Sequence, residues 1–197
     1  GIAFASKLNA DDRSSTSAQA IYAQPTAPKA RVIIVGGGMA GAAVAKYLRM
    51  WGDQIDITLI ERSVNYTSCI LSNLVITGQR TLAQLQFSYQ QLKDRYGIRV
   101  VQGDVVGLDA ATRTLSLANG ATLSADRIVL APGVEFDVIP GLETAPAQER
   151  VPHAWKAGGQ TLTLRDRLRS LAPGGVVALT IPKTPYRCPP GPYERAC

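Results

Sequence analysis

The sequence predicts an α/β protein whose first domain has a Rossmann-like fold, and three observations support this prediction. An apolar run, VIIV at residues 32–35, ends in three glycines and is followed by an alanine-rich helical pattern to about Met50. A second apolar run at residues 55–60 ends at Glu61, which completes a βαβ unit and therefore a parallel sheet. Asn119-Gly120 between TLSLA and ATLSA predicts a hairpin, so an antiparallel β-meander follows.

The remaining elements follow from spacing and turn residues. Residues 81–96 are predicted to form a helix closed by Gly97, and residues 98–102 a third strand. Residues 126–130 form a further apolar strand that runs directly into Ala131. We assign residues 31–143 to this first domain.

A second Rossmann-like domain is predicted to begin at residue 144 and to continue to residue 197. A basic amphipathic helix spans residues 161–171, and two glycines lead into the apolar strand VVALTI at residues 176–181. A parallel strand needs a hydrogen-bonding neighbour, so we expect the sequence to be the truncated front part of a two-dinucleotide-domain architecture. Residues 1–30 show no sustained period, and we interpret them as a flexible N-terminus or the remnant of an export signal.

Composition excludes several classes of protein. The 197 residues are 46% hydrophobic and 18% charged, which is too apolar for a disordered chain. The uncharged stretches at residues 32–45 and 63–79 are shorter than the roughly 18 apolar residues of a membrane span. Basic residues are not interleaved with aromatic ones, so nucleic acid is not expected. A lone histidine, His153, gives no metal site.

The glycines indicate a dinucleotide site. Gly36, Gly38 and Gly41 have the spacing Gly-x-Gly-x-x-Gly between a strand and a helix, and Glu61 ends the next strand. The first glycine suits a tight turn, the second a close approach of pyrophosphate, and the third the packing of helix on strand, while the acid accepts from ribose hydroxyls. A glycine turn in an ordinary α/β domain is the alternative.

FAD is favoured over NAD as the dinucleotide. The stretch TLSADRIVLAPG at residues 122–133 resembles the segment that returns to the flavin in the glutathione-reductase-like flavoprotein superfamily, and Val105 resembles the position that meets adenine. In the second domain, residues 182–192 hold five of the chain's 12 prolines, where a nicotinamide-binding turn would need bare backbone amides. We therefore do not expect hydride transfer from a nicotinamide.

The three cysteines cannot all pair with one another. For Cys69, burial as a small hydrophobic side chain is the favoured interpretation from the residues alone. Cys188 is preceded by Arg187 and followed by a helix predicted to begin at Pro192, and both features favour a thiolate, so redox and structural roles are equally open. Glu194 in that helix's first turn is consistent with a dipole-favoured surface acid.

Four segments together carry a family resemblance: VIIVGGGMAGAAVAKYL at residues 32–48, YTSCILSN at 66–73, PHAWKAG at 152–158 and RCPPGPYERA at 187–196. They resemble the flavin subunit of flavocytochrome c sulfide dehydrogenase, whose members are about twice as long. The resemblance implies an enzyme that oxidises sulfide beside FAD and passes electrons to a cytochrome c subunit in a periplasmic heterodimer, with haem c only in that partner.

The resemblance also assigns roles to residues. Cys69 matches the cysteine that binds FAD covalently, Cys188 matches one half of a redox-active disulfide whose partner lies outside this sequence, and Glu194 matches an acid near it. Cys197 has no family role, and its pairing with Cys188 stays open as an alternative. The expected cofactor-binding residues are Gly36, Gly38, Met39, Ala40, Gly41, Glu61, Arg62, Cys69, Asn73, Val105, Ala131, Pro132 and Gly133.

The second predicted domain carries most of the net positive charge. Residues 145–197 carry eight basic and three acidic residues, so they hold +5 of the net charge of +6; this field would attract an anionic substrate, or it is simply a solvated basic face. Two other functions stay open: a sulfide:quinone oxidoreductase-like flavoprotein, and a non-catalytic FAD-binding structural subunit.

Overall fold

The structure is a computed structural model, and it describes residues 22–181, 183, 185, 186 and 188–197. The elements in chain order are β1 (Ala30–Val35), α1 (Met39–Trp51), β2 (Ile55–Glu61), β3 (Asn65–Thr67), α2 (Ser72–Ile76), a 3₁₀ turn (Leu82–Leu85), β4 (Gln86–Ser88), α3 (Gln90–Asp94), β5 (Arg99–Gln102), β6 (Val105–Asp109), β7 (Thr114–Leu117), β8 (Thr122–Ser124), β9 (Arg127–Leu130), α4 (Ala145–Arg150), α5 (Gly159–Arg169) and α6 (Gly191–Ala196).

The chain divides into two compact units that are not contiguous in sequence. The first comprises the chain up to Val64 together with Ser88–Val134, and the second comprises Asn65–Phe87 together with Glu135–Cys197. This division differs from the predicted boundary after residue 143. Residues 65–87, predicted to belong to the first domain, lie in the second unit.

The first unit is built on the predicted parallel sheet, with strand order β5-β2-β1-β9. Ile34, Ile57 and Leu59 are completely buried at its centre. Strands covered on both faces are expected to be nearly continuous in apolar residues, which is the pattern of residues 32–35 in β1. In β2, residues 57–60 are all buried, and one of them, Thr58, is polar. The predicted βαβ unit and the third strand, observed as β5, are confirmed.

Helix α1 packs on this sheet through small residues. Gly41 and Ala45 are buried on the helix face, and Arg49, one turn further on, is buried as well. The Arg49 guanidinium donates from Nε to the Tyr96 carbonyl at 3.0 Å and from Nη1 to the Ile55 carbonyl at 2.8 Å. This side chain therefore joins the end of α1 to the chain preceding β5 and to the start of β2.

The predicted antiparallel meander is confirmed as β6, β7 and β8. Gly120, in the turn between β7 and β8, has φ +85°, a conformation that glycine adopts without steric cost. Leu115 and Leu117 of β7 are buried with Ile33 and Ile60 of the parallel sheet. The meander therefore covers the sheet with its own apolar face.

The predicted single helix over residues 81–96 is wrong. Thr81 caps only a 3₁₀ turn, and the reciprocal capping contacts are with Gln84. Residues Gln86–Ser88 then pair with Asn65–Thr67 in a two-stranded sheet, and a helix resumes only at Gln90. Pairing with a strand distant in sequence outweighed the local helical spacing, as tertiary contacts commonly do.

In the second unit, the predicted basic helix is confirmed as α5, which contacts α2. The predicted strand at residues 176–181 is wrong, because these residues have no regular structure and Val176 is 88% exposed. A strand requires a neighbour for its backbone hydrogen bonds, and none of the described strands pairs with this segment. In the described part of the chain, none of the helices has the length and apolar character needed to cross a membrane.

Candidate dinucleotide site and cysteine loop

The first and third glycines of the motif lie where a side chain has no room. Gly36, at the end of β1, has φ +96°, and a Cβ there would lie 2.2 Å from the Ala131 carbonyl oxygen. A Cβ on Gly41 would lie 1.8 Å from the Gly36 carbonyl oxygen. Residues 36–38, here called the glycine turn, are therefore pressed between β9 and the first turn of α1.

Glu61 lies beside the glycine turn at the end of β2. One carboxylate oxygen, Oε2, accepts from the Gly37 amide at 2.7 Å, and the other, Oε1, accepts from the Ser63 amide at 2.9 Å. A carboxylate offers about four acceptor positions, so these two bonds leave capacity for further donors. Glu61 can thus hold the turn and still accept from ribose hydroxyls.

The N-terminus of α1 opens directly from the turn. Gly38 is its N-cap and its carbonyl accepts from the Ala42 amide at 2.9 Å. Met39 and Ala40 are exposed, and the first turn contains no acidic residue. An uncapped helix N-terminus without a competing acid favours the binding of phosphate.

The end of β9 closes the other side of the turn. The Ala131 amide donates to the Val35 carbonyl at 2.8 Å, while Pro132 and Gly133 are exposed. Gly133 has φ +81°, and a Cβ there would have no atom within 4 Å, so its conformation and not crowding favours glycine. Val105 begins β6 and packs against the buried cluster under the meander.

These contacts fit the adenosine diphosphate half of a dinucleotide. The two glycines leave bare backbone where a Cβ would collide with carbonyl oxygens, and α1 supplies free amides. Arg62 follows Glu61 on the exposed surface, and its carbonyl accepts from Gln102 at 3.4 Å. The first unit therefore brings the glycines, Glu61, Arg62 and residues 131–133 to one edge of its sheet.

Cys69 and Asn73 belong to the second unit. The Cys69 thiol is exposed, which contradicts its interpretation as a buried hydrophobic side chain. The preceding Ser68 is buried and its amide donates to the Leu85 carbonyl at 2.8 Å, while the Cys69 carbonyl accepts from the Ser72 amide at 3.1 Å. The backbone is held on both sides of a thiol that faces outward.

Cys188 begins a tight loop before α6, here called the cysteine loop (residues 188–191). Cys188 is exposed with φ +54°, and its carbonyl accepts from the Gly191 amide at 2.9 Å. A Cβ placed on Gly191 would lie 3.4 Å from the Cys188 Sγ and 3.5 Å from the Trp155 ring. The predicted helix after it is confirmed as α6; Arg187, the predicted activating cation, lies outside the described residues.

Arg195 and Trp155 form a contact that sequence reasoning missed. The Arg195 guanidinium carbon lies 4.3 Å from the Trp155 ring centroid, and Nη2 donates to the Ala154 carbonyl at 3.2 Å. Burial lowers the pKa of Arg195, and its Nε and Nη1 are buried without a partner. Trp155 lies in the segment PHAWKAG and Arg195 in RCPPGPYERA, but no local pattern joins positions so far apart.

His153 has a structural role in the same region. Its Nδ1 accepts from the Trp155 amide at 3.1 Å, and its ring lies 4.4 Å from that of Phe136. Burial lowers the pKa of His153, and the charges of Arg195 and Lys156 lower it further. Across the described residues no group of three His, Cys, Asp or Glu side chains could hold a metal ion.

The structure leaves the predicted redox residues unpaired. Cys69, Cys188 and Cys197 are all free in the described chain. Glu194 is exposed in the first turn of α6, where its amide donates to the Pro190 carbonyl at 3.0 Å. Cys69 and Asn73, like Cys188 and Glu194, belong to the second unit and not to the unit that holds the glycine turn.

The glycine turn, the parallel sheet and the meander define the class of protein. Residues 30–171 match the family model described as pyridine nucleotide-disulphide oxidoreductase, and the chain belongs to this family of oxidoreductases. Residues 161–197 match a second model, described as the central part of the sulfide dehydrogenase [flavocytochrome c] flavoprotein chain.

Individual relatives agree with both matches. The sulfide dehydrogenase [flavocytochrome c] flavoprotein chain of Chlorobaculum thiosulfatiphilum is 47% identical over 45 residues, which is 23% of this chain and 94% of that sequence. The probable ferredoxin reductase CtmF of Castellaniella defragrans is 37% identical over 106 residues, which is 52% of this chain and 26% of that protein. The match therefore spans about a quarter of that reductase.

Solved structures confirm the predicted fold class. The covalent putidaredoxin reductase-putidaredoxin complex superposes with a TM-score of 0.60 at 23% identity, covering 72% of this chain and 35% of the other. The sulfide:quinone oxidoreductase of Aquifex aeolicus gives 0.58 at 22% identity, covering 71% and 32%. At these identities the likeness concerns the α/β fold alone.

Proposed function

We propose that this chain is part of an FAD-dependent sulfide dehydrogenase that oxidises hydrosulfide at Cys188 and passes the electrons to a cytochrome c subunit. The observation that carries the proposal is the cysteine loop: an exposed thiol lies in the segment that matches the sulfide dehydrogenase flavoprotein model. The 47% identity to the flavoprotein chain of Chlorobaculum thiosulfatiphilum supports the same function.

FAD is the cofactor that the first unit fits. The amides of the glycine turn and of the first turn of α1 would hold the pyrophosphate, and Glu61 would accept from the ribose. The bound flavin would supply an acceptor for an electron pair that can also release electrons singly, as transfer to haem iron requires. We propose Cys69, an exposed thiol on a well-held backbone, as its covalent attachment point.

Cys188 would react as one half of a disulfide whose other half is a cysteine outside this sequence. Hydrosulfide attacks one sulfur of that disulfide, a new sulfur–sulfur bond forms as a persulfide, and the other cysteine leaves as a thiolate. Exposure of Cys188 allows the approach of the substrate. Glu194, exposed in the adjacent first turn of α6, would take up the proton of hydrosulfide.

The partner and the cellular location belong to the same proposal. A cytochrome c subunit in a heterodimer would accept the electrons, and the periplasm would be the compartment, since a stable disulfide requires an oxidising environment. The excess of basic residues in residues 145–197 would favour the approach of an anionic substrate.

The test is sulfide-dependent reduction in the intact natural protein that contains this chain. Cys188→Ser should abolish bleaching of the flavin absorbance by sulfide in a stopped-flow experiment, with the flavin still bound, because serine cannot form the disulfide. Cys197→Ser is the matched control and should leave the rate unchanged. Bleaching at the wild-type rate in Cys188→Ser would refute the proposal, and reduction of a quinone but not of cytochrome c would assign a quinone-linked enzyme.

A further inference from the structure

We propose that Tyr89 is a positioning residue for the glycine turn, and that its ring, by confining Gly37, sets the affinity of the site for the diphosphate half of the dinucleotide. The inference rests on the dinucleotide site of the proposed function but not on sulfide chemistry. It explains a glycine that the Gly-x-Gly-x-x-Gly motif does not require, since Gly37 occupies a variable position of that motif.

Space, and not backbone conformation, requires glycine at residue 37. Its φ lies outside the left-handed region that favours glycine, unlike that of Gly36. A Cβ at residue 37, however, would lie 2.7 Å from both Cε1 and the hydroxyl oxygen of Tyr89 and 2.8 Å from Cζ. Real Cβ atoms essentially never approach closer than 3.0 Å, so any side chain at residue 37 must displace the Tyr89 ring.

The ring cannot move aside easily. Tyr89 is 7% exposed, and an aromatic side chain has only two torsions with which to escape a contact. The residue also anchors the chain where it re-enters the first unit, because Ser88 is the first residue of that re-entry and the Tyr89 carbonyl accepts from the Lys93 amide at 3.2 Å. The buried Tyr89 ring therefore packs in a fixed position against the Cα of Gly37.

Gly37 is held from two sides by residues distant in sequence. Glu61 accepts from its amide at 2.7 Å, and the Tyr89 ring covers its Cα. The next residue, Gly38, is the N-cap of α1, so the orientation of the Gly37 peptide determines where the first amides of the helix point. Preorganised donors bind an anion more tightly than donors that must be ordered on binding.

The experiment measures the affinity for ADP by calorimetry in four variants of the full chain. Gly37→Ala should weaken ADP binding about tenfold or more, and Tyr89→Leu about three- to tenfold. In the double variant, adding Gly37→Ala to Tyr89→Leu should cost no more than about twofold, because the obstructing ring is absent. Because Tyr89→Phe keeps the ring atoms Cε1 and Cζ that collide, the fourth variant, Gly37→Ala combined with Tyr89→Phe, should bind ADP as weakly as Gly37→Ala alone.

Controls separate positioning from general stability. Gly107→Ala places a methyl group in ordinary contact, 3.6 Å from the Ser116 Cβ, and should leave ADP affinity unchanged. Urea midpoints report stability; a purely structural role for Tyr89 would lower the midpoint of Tyr89→Leu while its folded form bound ADP normally. The inference would be overturned if Gly37→Ala weakened ADP binding by the same factor in the wild type and in Tyr89→Leu. It would also be overturned if Tyr89→Leu bound ADP with wild-type affinity.

Two further outcomes are informative. Should Tyr89→Leu fail to fold, Gly37→Ala and Gly107→Ala still decide, since equal ADP affinities in these two variants would overturn the inference. Coupling between Gly37 and Tyr89 together with no bleaching by sulfide would leave Tyr89 as a positioning residue and refute the proposed function instead.

Discussion

Replacing Arg49 by methionine should lower the free energy of unfolding of the first unit by about 2–4 kcal/mol. The Arg49 side chain is 7% exposed and donates to the carbonyls of Tyr96 and Ile55. Methionine preserves the apolar stem but leaves both carbonyls without these donors, and each loss costs about 1–3 kcal/mol when a buried acceptor is orphaned.

Two opposing effects keep the expected loss within that range. Burial lowers the pKa of Arg49, so removing the cation relieves a desolvation cost, and its Nη2 is already buried without a partner. In the other direction, Asp56 loses the attraction of Arg49, the interaction that raises the pKa of this arginine, and retains Arg99 at 3.8 Å. We expect the loss of the two hydrogen bonds to dominate.

Urea unfolding followed by circular dichroism measures the effect. With a slope of about 2 kcal/mol per molar urea, in the middle of the usual range, the midpoint of Arg49→Met should fall by about 1–2 M. Arg49→Lys keeps the charge but not the fork that reaches two carbonyls, and its midpoint should lie between those of the wild type and Arg49→Met. Arg31→Met, at an exposed arginine of β1, is the control, and equal midpoints for Arg31→Met and Arg49→Met would refute the reasoning.

Two further predictions concern the second unit. The pKa of His153 lies below its usual 6.5, so the unfolded chain takes up its proton first as pH falls, and stability present above pH 6.5 is lost as pH falls through the folded-state pKa. His153→Asn keeps an acceptor for the Trp155 amide but does not titrate, so its melting temperature should fall less than that of the wild type between pH 7 and pH 5; an equal fall would contradict the assignment. Cys69→Ser should release FAD from the acid-denatured natural protein if Cys69 is the covalent attachment point, whereas Cys197→Ser should not; mass spectrometry of the unfolded chain distinguishes these outcomes, and flavin retained in Cys69→Ser would exclude that role.

The part of the fold that sequence predicted best is the part in which local pattern and burial agree. The central residues of β1 and β2, at 32–34 and 57–60, are buried because both faces of the sheet are covered. Gly36 at the end of β1 and Gly41 in the first turn of α1 are required because a Cβ at either position would collide with a carbonyl oxygen. The hairpin at Gly120 follows in the same way from a conformational need. These signals each lie within a few residues of the structure that they specify.

The errors arose where contacts distant in sequence decide the structure. Residues 81–96 have helical spacing, but the pairing of β3 with β4 interrupts the helix. In the candidate site, the motif predicted the glycine turn and Glu61. It did not predict the contact of the Tyr89 ring with Gly37 or the stacking of Arg195 on Trp155. No periodicity or motif links the members of those pairs.

The interleaved order of the two units has a consequence for how the protein is made. The chain passes from the first unit to the second after Val64, returns at Ser88 and leaves again after Val134. During synthesis, residues 65–87 therefore leave the ribosome before the residues from Glu135 onward. The second unit can fold only after both segments have been made. A gene truncated after Val134 would encode the Cys69 segment without the residues that it packs against. A proteolytic cut after Val134 would still leave residues 65–87 joined to the first unit at both of their ends.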